Sequence, residues 1–231
     1  MLDLSVLPKE AYVTRAGSYG YGLNTPESDE DFRGFFFPKH AHVLGFLSGP
    51  ETIQKMEGGL DFTLWEVRKT FSLAAQANPN VLEVLFTEAS DHIYVTPLAK
   101  EILKERNLFL SRKIAKTYLG YASSNYKRVI TGPSEFDYDG KDAMHMVRLL
   151  HTGYNALLTG KLQVKQNEEQ RQDLLSIKAR KVPWETLDKT FKYYRTLMEK
   201  AEKDSPLPVH PNMEALNELM IRVMTKWLEE K

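Results

Sequence analysis

Short apolar runs separated by breakers fill the first half of the chain, and apolar residues at helical spacing fill the second. Ala11-Tyr12-Val13-Thr14 predicts a strand within residues 10–16. Leu23-Asn24-Thr25-Pro26 then breaks regular structure before a second strand, Asp29–Phe37, which carries Phe32 and the run Phe35-Phe36-Phe37. Residues 38–49, with His40 and His42, read as a loop, 51–56 as a strand, Glu57-Gly58-Gly59 as a tight turn and Leu60-Asp61-Phe62 as a short strand. Thr63-Leu64-Trp65-Glu66 has the form of a capping box, followed by Leu64, Val67, Phe71 and Ala74 at helical spacing. Asn78-Pro79 reads as a helix stop. Beyond Phe86 helices are expected from Thr96-Pro97, over 108–130, over 141–158 ending at Gly160, over 184–203 and over 211–229. Strands first and helices after make this an α+β chain. It divides into residues 1–107 and a helical 108–231.

The most informative stretch lies around the first two strands. Gly17-Ser18-Tyr19-Gly20-Tyr21-Gly22 precedes Ser28-Asp29-Glu30-Asp31. If Asp29 to Phe32 is extended, Asp29 and Asp31 point the same way and Glu30 points oppositely. Two converging carboxylates repel unless a cation sits between them. Backbone N–H groups and a hydroxyl from Gly17-Ser18 suit phosphate oxygens. Each piece alone is common, since Asp-x-Asp often marks a solvated turn and a Gly-Ser pair says little. Together, with apolar flanks, they point to a metal ion and a triphosphate.

These residues resemble the DNA polymerase beta superfamily of nucleotidyltransferases, whose signature is Gly-Ser, a spacer, then Asp-x-Asp or Asp-x-Glu with apolar flanks. The resemblance narrows to a predicted nucleotidyltransferase family, some members of which are associated with RNA repair. It rests on Gly17-Ser18-Tyr19-Gly20-Tyr21-Gly22, Ser28-Asp29-Glu30-Asp31 and Asn78-Pro79-Asn80-Val81-Leu82-Glu83-Val84-Leu85-Phe86, and covers about residues 12–180. The aromatic-glycine pair is shifted or duplicated at 19–22. The resemblance implies a polymerase-beta-like core, a small mixed sheet with helices, followed by a helical domain that binds substrate or nucleotide. It implies two Mg²⁺ ions, replaceable by Mn²⁺, on Asp29, Asp31 and a third acid from a neighbouring strand. Asp61 is expected in that role, because a carboxylate between apolar strand neighbours is costly unless it binds something. Glu66 is the lesser candidate, having a structural task at the start of its own helix. Gly17 and Ser18 are expected to hold phosphates of an NTP.

Lys141, His145, Arg148 and Thr152 fall on one helical stripe, where three potential cations repel one another without an anion. The resemblance includes a Lys-x-x-x-His-x-x-Arg element that matches Lys141, His145 and Arg148, which makes them candidate phosphate contacts beside the plainer reading of a solvated face. Tyr118, Tyr121 and Tyr126, with Asn125, Lys127 and Arg128, have the makings of a base-stacking segment, although aromatics so spaced more often pack.

Composition changes this picture little. The 231 residues are 42% apolar and 27% charged, ordinary for a globular protein. No apolar run approaches the roughly 20 residues that span a bilayer. The N-terminus lacks a secretory pattern, so a cytoplasmic protein without membrane partners is the expectation. With no cysteine, disulfide-linked partners and thiolate metal sites are excluded. Net charge is zero, but residues 1–110 carry 10 Lys/Arg against 15 Asp/Glu and residues 111–231 carry 21 against 16. The basic half suits a polyanion. The implied reaction moves a nucleotidyl group from an NTP to an acceptor hydroxyl with release of pyrophosphate. An RNA 3′ end, a protein hydroxyl in a toxin–antitoxin-like pair and a small molecule are the alternative acceptors, and a catalytically inactive nucleotide-binding module is the alternative to catalysis.

Overall fold

Alternation of apolar and polar residues in the first half builds a five-stranded mixed sheet. The computed structural model describes residues 7–57, 60–129 and 132–229. The strands are β1 (Ala11–Arg15), β2 (Asp31–Phe36), β3 (Thr52–Glu57), β4 (Leu60–Glu66) and β5 (His92–Val95), in the order β3-β4-β2-β1-β5. Strand β1 pairs antiparallel with β2 and β5, β3 antiparallel with β4, and β2 parallel with β4. One face gathers Ala11, Val13, Phe32, Phe36, Phe62 and Leu64 into a buried cluster. Alternation then puts Tyr12, Thr14, Asp31, Arg33, Phe35, Asp61 and Thr63 on the other face. The turn expected at Glu57-Gly58-Gly59 and the helix end expected at Ile130 lie partly or wholly outside the described residues.

Two buried features hold the sheet. Gly34 faces Val13, and a Cβ there would come within 1.8 Å of the Tyr12 carbonyl oxygen, a backbone atom that cannot step aside. The Tyr12 hydroxyl donates to the Val84 carbonyl at 3.1 Å and lies 2.7 Å from the Thr87 hydroxyl, to which Thr14 donates at 3.0 Å. This ties β1 to helix α4 (Pro79–Leu85) and the turn after it. Desolvation pushes the Tyr12 phenol up to about 12, so it stays a neutral donor.

Several expected elements differ in detail. Thr63 and Leu64 lie inside β4, and helix α3 (Val67–Ala75) begins only after Glu66. No capping box forms from 63 to 66; Glu66 itself caps the helix. Pro79 opens α4 rather than merely stopping a helix, its missing N–H being an unpaired donor in a first turn anyway. Residues 40–44 form a short helix, and 168–178 a helix that the apolar pattern did not disclose. No described helix is long and apolar enough to cross a membrane.

The chain packs as two compact units: Met1–Gln76 with Asn80–Phe109 and Pro211–Lys231, and Ala77–Pro79 with Leu110–His210. In the first, α10 (Met213–Glu229) packs on α5 (Pro97–Lys104), where Lys226 reaches Glu101 at 2.6 Å and Arg222 pairs with Glu105. In the second, α7 (Gly140–Thr159) is the spine, touching α6 (Lys113–Arg128), α8 (Glu168–Lys178) and α9 (Trp184–Asp204). Gly153 permits this, since a Cβ there would stand 2.8 Å from Tyr118 and 2.9 Å from Met198. The helix stops at Gly160, whose φ of +70° is the left-handed cap expected of a glycine.

Gly34→Ala is expected to disrupt the β1–β2 pairing and cost about 3 kcal/mol or more, read as a shifted denaturation midpoint. An unshifted midpoint would show that the strands part cheaply.

Burial, then Arg148 and Lys141, lower the His145 imidazole from 6.5 to about 4, so it is neutral in the folded protein at pH 7. Below pH 6.5 the unfolded chain takes up this proton and the folded chain does not. Stability should therefore fall between about pH 6.5 and 4, by at most about 3 kcal/mol from this group. Melting temperatures from pH 7 to 4.5 should fall less steeply in His145→Gln.

Candidate active site

Strand β1 leads through Ala16 into α1 (Gly17–Gly20), a single turn, and the chain returns as β2. Ala16 N–H donates to the Asp31 carbonyl at 2.8 Å, which closes the mouth of this loop. Gly17 has φ +55°, and a Cβ on it would fall 2.0 Å from Asp31 Oδ2. Only glycine fits there. The two halves of the sequence signature therefore meet in space, with the backbone of Gly17 against the side chain of Asp31. Gly20 belongs to the turn and Gly22, at φ +71°, ends it, which gives the doubled aromatic-glycine pair its path.

Asp31 opens β2 and pairs in register with Asp61 on β4. Parallel neighbours in register share a face and lie one strand spacing apart, about 4.8 Å. Asp61 is held by Arg33, the next residue on that face of β2: Nη2 donates to Oδ2 at 2.6 Å and Nη1 to the Asp61 carbonyl at 3.3 Å. Asp61 Oδ1 is buried and accepts no hydrogen bond. Glu30 is engaged elsewhere, by Arg15 at 3.1 Å.

Asp29 lies outside the strand, exposed on the approach to it, so the alternation expected to align it with Asp31 does not reach it. Thr25 N–H donates to the Ser28 hydroxyl at 2.9 Å and Ser28 N–H to the Thr25 carbonyl at 3.0 Å, a turn that closes at Ser28, and residues 28–30 run outside any strand before Asp31 joins the sheet.

The choice between Asp61 and Glu66 has a geometric basis. Glu66 pairs in register with Phe36, five residues along β2 from Asp31, or about 16 Å. Its Oε2 accepts from Arg68 N–H at 2.8 Å and Lys69 N–H at 3.1 Å, a cap on α3. Burial raises its carboxyl above the ordinary range despite those two donors.

Among the described residues, no three of His, Asp and Glu gather closely enough to enclose a metal ion. What the structure brings together is a pair of carboxylates, one bearing an unsatisfied oxygen, with Asp29 on the loop two residues upstream. An all-oxygen set with an orphaned acceptor fits a hard cation such as Mg²⁺, which retains waters and substrate phosphates as further ligands. His40 and His42 do not form such a site. His40 sits on the short helix, with Nε2 2.9 Å from the Trp227 carbonyl and its ring edge-on to Trp227.

On α7, Lys141 is exposed, His145 is largely covered and Arg148 is 3% exposed. Beyond Lys141 the stripe is not a solvated face. Asp142 pairs with Arg128 at 2.9 Å, off the stripe. Among the tyrosines of α6, Tyr118 is core and Tyr126 stacks on Phe191 with its hydroxyl on Asp188 at 2.7 Å; Tyr121 is exposed. Packing accounts for two of the three.

Arg33 was not singled out from the sequence. Its signal was available in the same alternation, since residue i+2 from Asp31 in a strand shares its face. The Asn78–Phe86 motif contributes packing: Val81, Leu82, Val84 and Leu85 are buried, and Arg106 donates to the Leu85 carbonyl at 2.9 Å while covering the Phe86 ring.

This chain matches parts of two curated proteins. It is 29% identical over 128 residues to the uncharacterized protein YcgL of Bacillus subtilis, a match covering 54% of this chain and 48% of that protein. It is 30% identical over 115 residues to an uncharacterized 38.9 kDa protein in the nrdC-mobD intergenic region of Enterobacteria phage T4, covering 46% of this chain and 34% of that one. The chain thus spans about half or less of these relatives' length. A far longer match, over residues 9–222, takes in the glycine turn, both aspartate strands and the helical unit. On that match the chain belongs to the RNA repair pathway DNA polymerase beta family.

Proposed function

We propose that this protein is a metal-dependent nucleotidyltransferase, moving a nucleotidyl group from an NTP to an acceptor hydroxyl and releasing pyrophosphate. The observation that carries it is the register of β2 and β4, which sets Asp31 beside Asp61 while Gly17 packs against Asp31. Asp29, Asp31 and Asp61 would hold two Mg²⁺ ions, with Mn²⁺ able to replace them. Bound there, the metal supplies charge neutralisation for the triphosphate and a lowered pKa for the attacking hydroxyl. The Ser18 hydroxyl and the N–H groups around Gly17 hold the terminal phosphates. In this reading residues 1–107, with α10 packed on α5, form the catalytic domain, and the rest of the helical 108–231 binds nucleotide and acceptor. Lys141 and Arg148 contact phosphate as cations there, and His145, being neutral, contacts it only as a hydrogen-bond partner. An RNA 3′ end is the acceptor that the family's RNA repair association and the basic second half favour. Incubation with each labelled NTP, Mg²⁺ and a panel of RNAs and proteins tests it, and a labelled RNA 3′ end is the expected product.

Asp31→Asn and Asp61→Asn should each abolish Mg²⁺-dependent transfer while the protein stays folded. Glu66→Gln should retain transfer and cost about 1 kcal/mol of stability or less, since an amide oxygen still accepts from the helix N–H groups. Turnover and melting curves on the three variants separate metal ligand from cap, and the reverse order would exchange Asp61 for Glu66.

Lys141→Ala should weaken binding of a non-hydrolysable NTP by about ten- to a hundredfold, the worth of a charge-assisted contact of roughly 1.5–3 kcal/mol. Titration calorimetry reads this directly. If RNA affinity and its salt dependence fall instead, the stripe belongs to the acceptor.

A further inference from the structure

Two acids at the start of β2 and β4 already have cations of their own. Arg15 takes Glu30, and Arg33 takes Asp61 with its shortest bond to any carboxylate, 2.6 Å. The grip of Arg33 has a second part. Its Nη1 donates to two main-chain carbonyls, Phe32 at 3.1 Å and Asp61 at 3.3 Å, so the guanidinium is anchored to the strands as well as to the side chain. It uses Oδ2 alone and leaves Oδ1 buried without a partner. An arginine set only to neutralise Asp61 has five donors in a fork that matches both carboxylate oxygens. Here one oxygen is taken and the other is held back.

Resting on the reading that Asp31 and Asp61 are metal ligands, we propose that Arg33 is a built-in counter-cation that keeps the site's affinity for free divalent metal low, so that an ion is bound tightly only together with the phosphates of its nucleotide. The physical reason is charge. Asp31 and Asp61 stand one strand spacing apart, and without a cation their mutual repulsion weakens the β2–β4 pairing. Arg33 relieves this in the metal-free protein. The same fixed positive charge opposes an incoming dication, because it is anchored to backbone and cannot leave the neighbourhood. A nucleotide triphosphate brings negative charge that overcomes this opposition and can itself accept from the guanidinium. Arg33 thus acts through Asp61 and the local charge, as a positioning and affinity-setting residue.

Direct Mn²⁺ titration, followed by the paramagnetic signal of the free ion, tests this without turnover. It is run on the wild type, Arg33→Gln, Arg33→Lys and Asp31→Asn, each with and without a non-hydrolysable NTP, alongside metal-free melting curves. Arg33→Gln should bind Mn²⁺ at least tenfold more tightly than the wild type in the absence of nucleotide. Its metal-free melting temperature should fall by about 2–4 °C and recover as Mn²⁺ is added. Arg33→Lys keeps the charge without the fork and should bind Mn²⁺ about as weakly as the wild type. If Arg33→Gln and Arg33→Lys both bind Mn²⁺ more weakly, Arg33 merely orients Asp61 and the proposal is overturned, with the metal site left standing. Equal affinity in Arg33→Gln and wild type overturns it likewise. If the wild type and Arg33→Gln bind no Mn²⁺ that Asp31→Asn fails to bind, with or without nucleotide, the metal site itself is wrong and the proposal falls with it.

Discussion

The parallel pairing of β2 with β4 is the constraint from which the site follows. A parallel pair cannot be closed by a tight turn, so the chain must leave β2, build β3 and return through an antiparallel step into β4. Because that return is in register, residue 31 stands beside residue 61 rather than one position off. A slip of a single residue would turn Asp61 into the apolar cluster and Phe62 out of it. The cluster of Phe32, Phe36, Phe62 and Leu64 on one face therefore fixes the placement of the carboxylates on the other. Core packing and site geometry are two consequences of one alignment.

The opposite strand ends show how the same residue type serves different ends. At the start of β2 and β4, Asp31 and Asp61 are side by side, with Arg33 as cation and Gly17 as close neighbour. At the far end of β4, Glu66 turns the chain into α3 by accepting the first free N–H groups of that helix. The difference lies in what each carboxylate meets. Glu66 meets backbone donors from its own chain direction, whereas Asp61 meets a side-chain cation on the adjoining strand; each is held through one oxygen and keeps the other buried without a partner.

The helical unit presents a different electrostatic situation. Helix α7 is buried along most of its length among α6, α8 and α9, and it carries His145 and Arg148 into that packing. Burial keeps the histidine neutral. The arginine cannot shed its proton and so must be met by neighbours. Polar groups on such a spine are costly to place for packing alone, which gives the phosphate reading of the stripe its physical interest.

Much of this was legible in the chain before its folding was known. The glycine turn, the apolar alternation of β1 and β2, and helices ending at Gly160 or separated by Ser205-Pro206-Leu207-Pro208 follow from local chemistry: φ preferences, side-chain period and the limits of proline. The family resemblance rested on the same short-range patterns. Folding in three dimensions settled matters that depend on residues far apart in sequence. Thr63-Leu64-Trp65-Glu66 looks like a capping box, yet pairing with β2 and β3 extends the strand through it and leaves Glu66 alone to cap. Asp29 lies off the strand, just after the Thr25–Ser28 turn. The C-terminal helix packs with the sheet unit through Glu101, Glu105, Arg222 and Lys226, ion pairs spanning more than a hundred residues. Gly17 is required by Asp31, fourteen positions later, and Arg33 by Asp61 across a strand pair. Periodicity says which way a side chain points, but only the register of distant strands says what it meets.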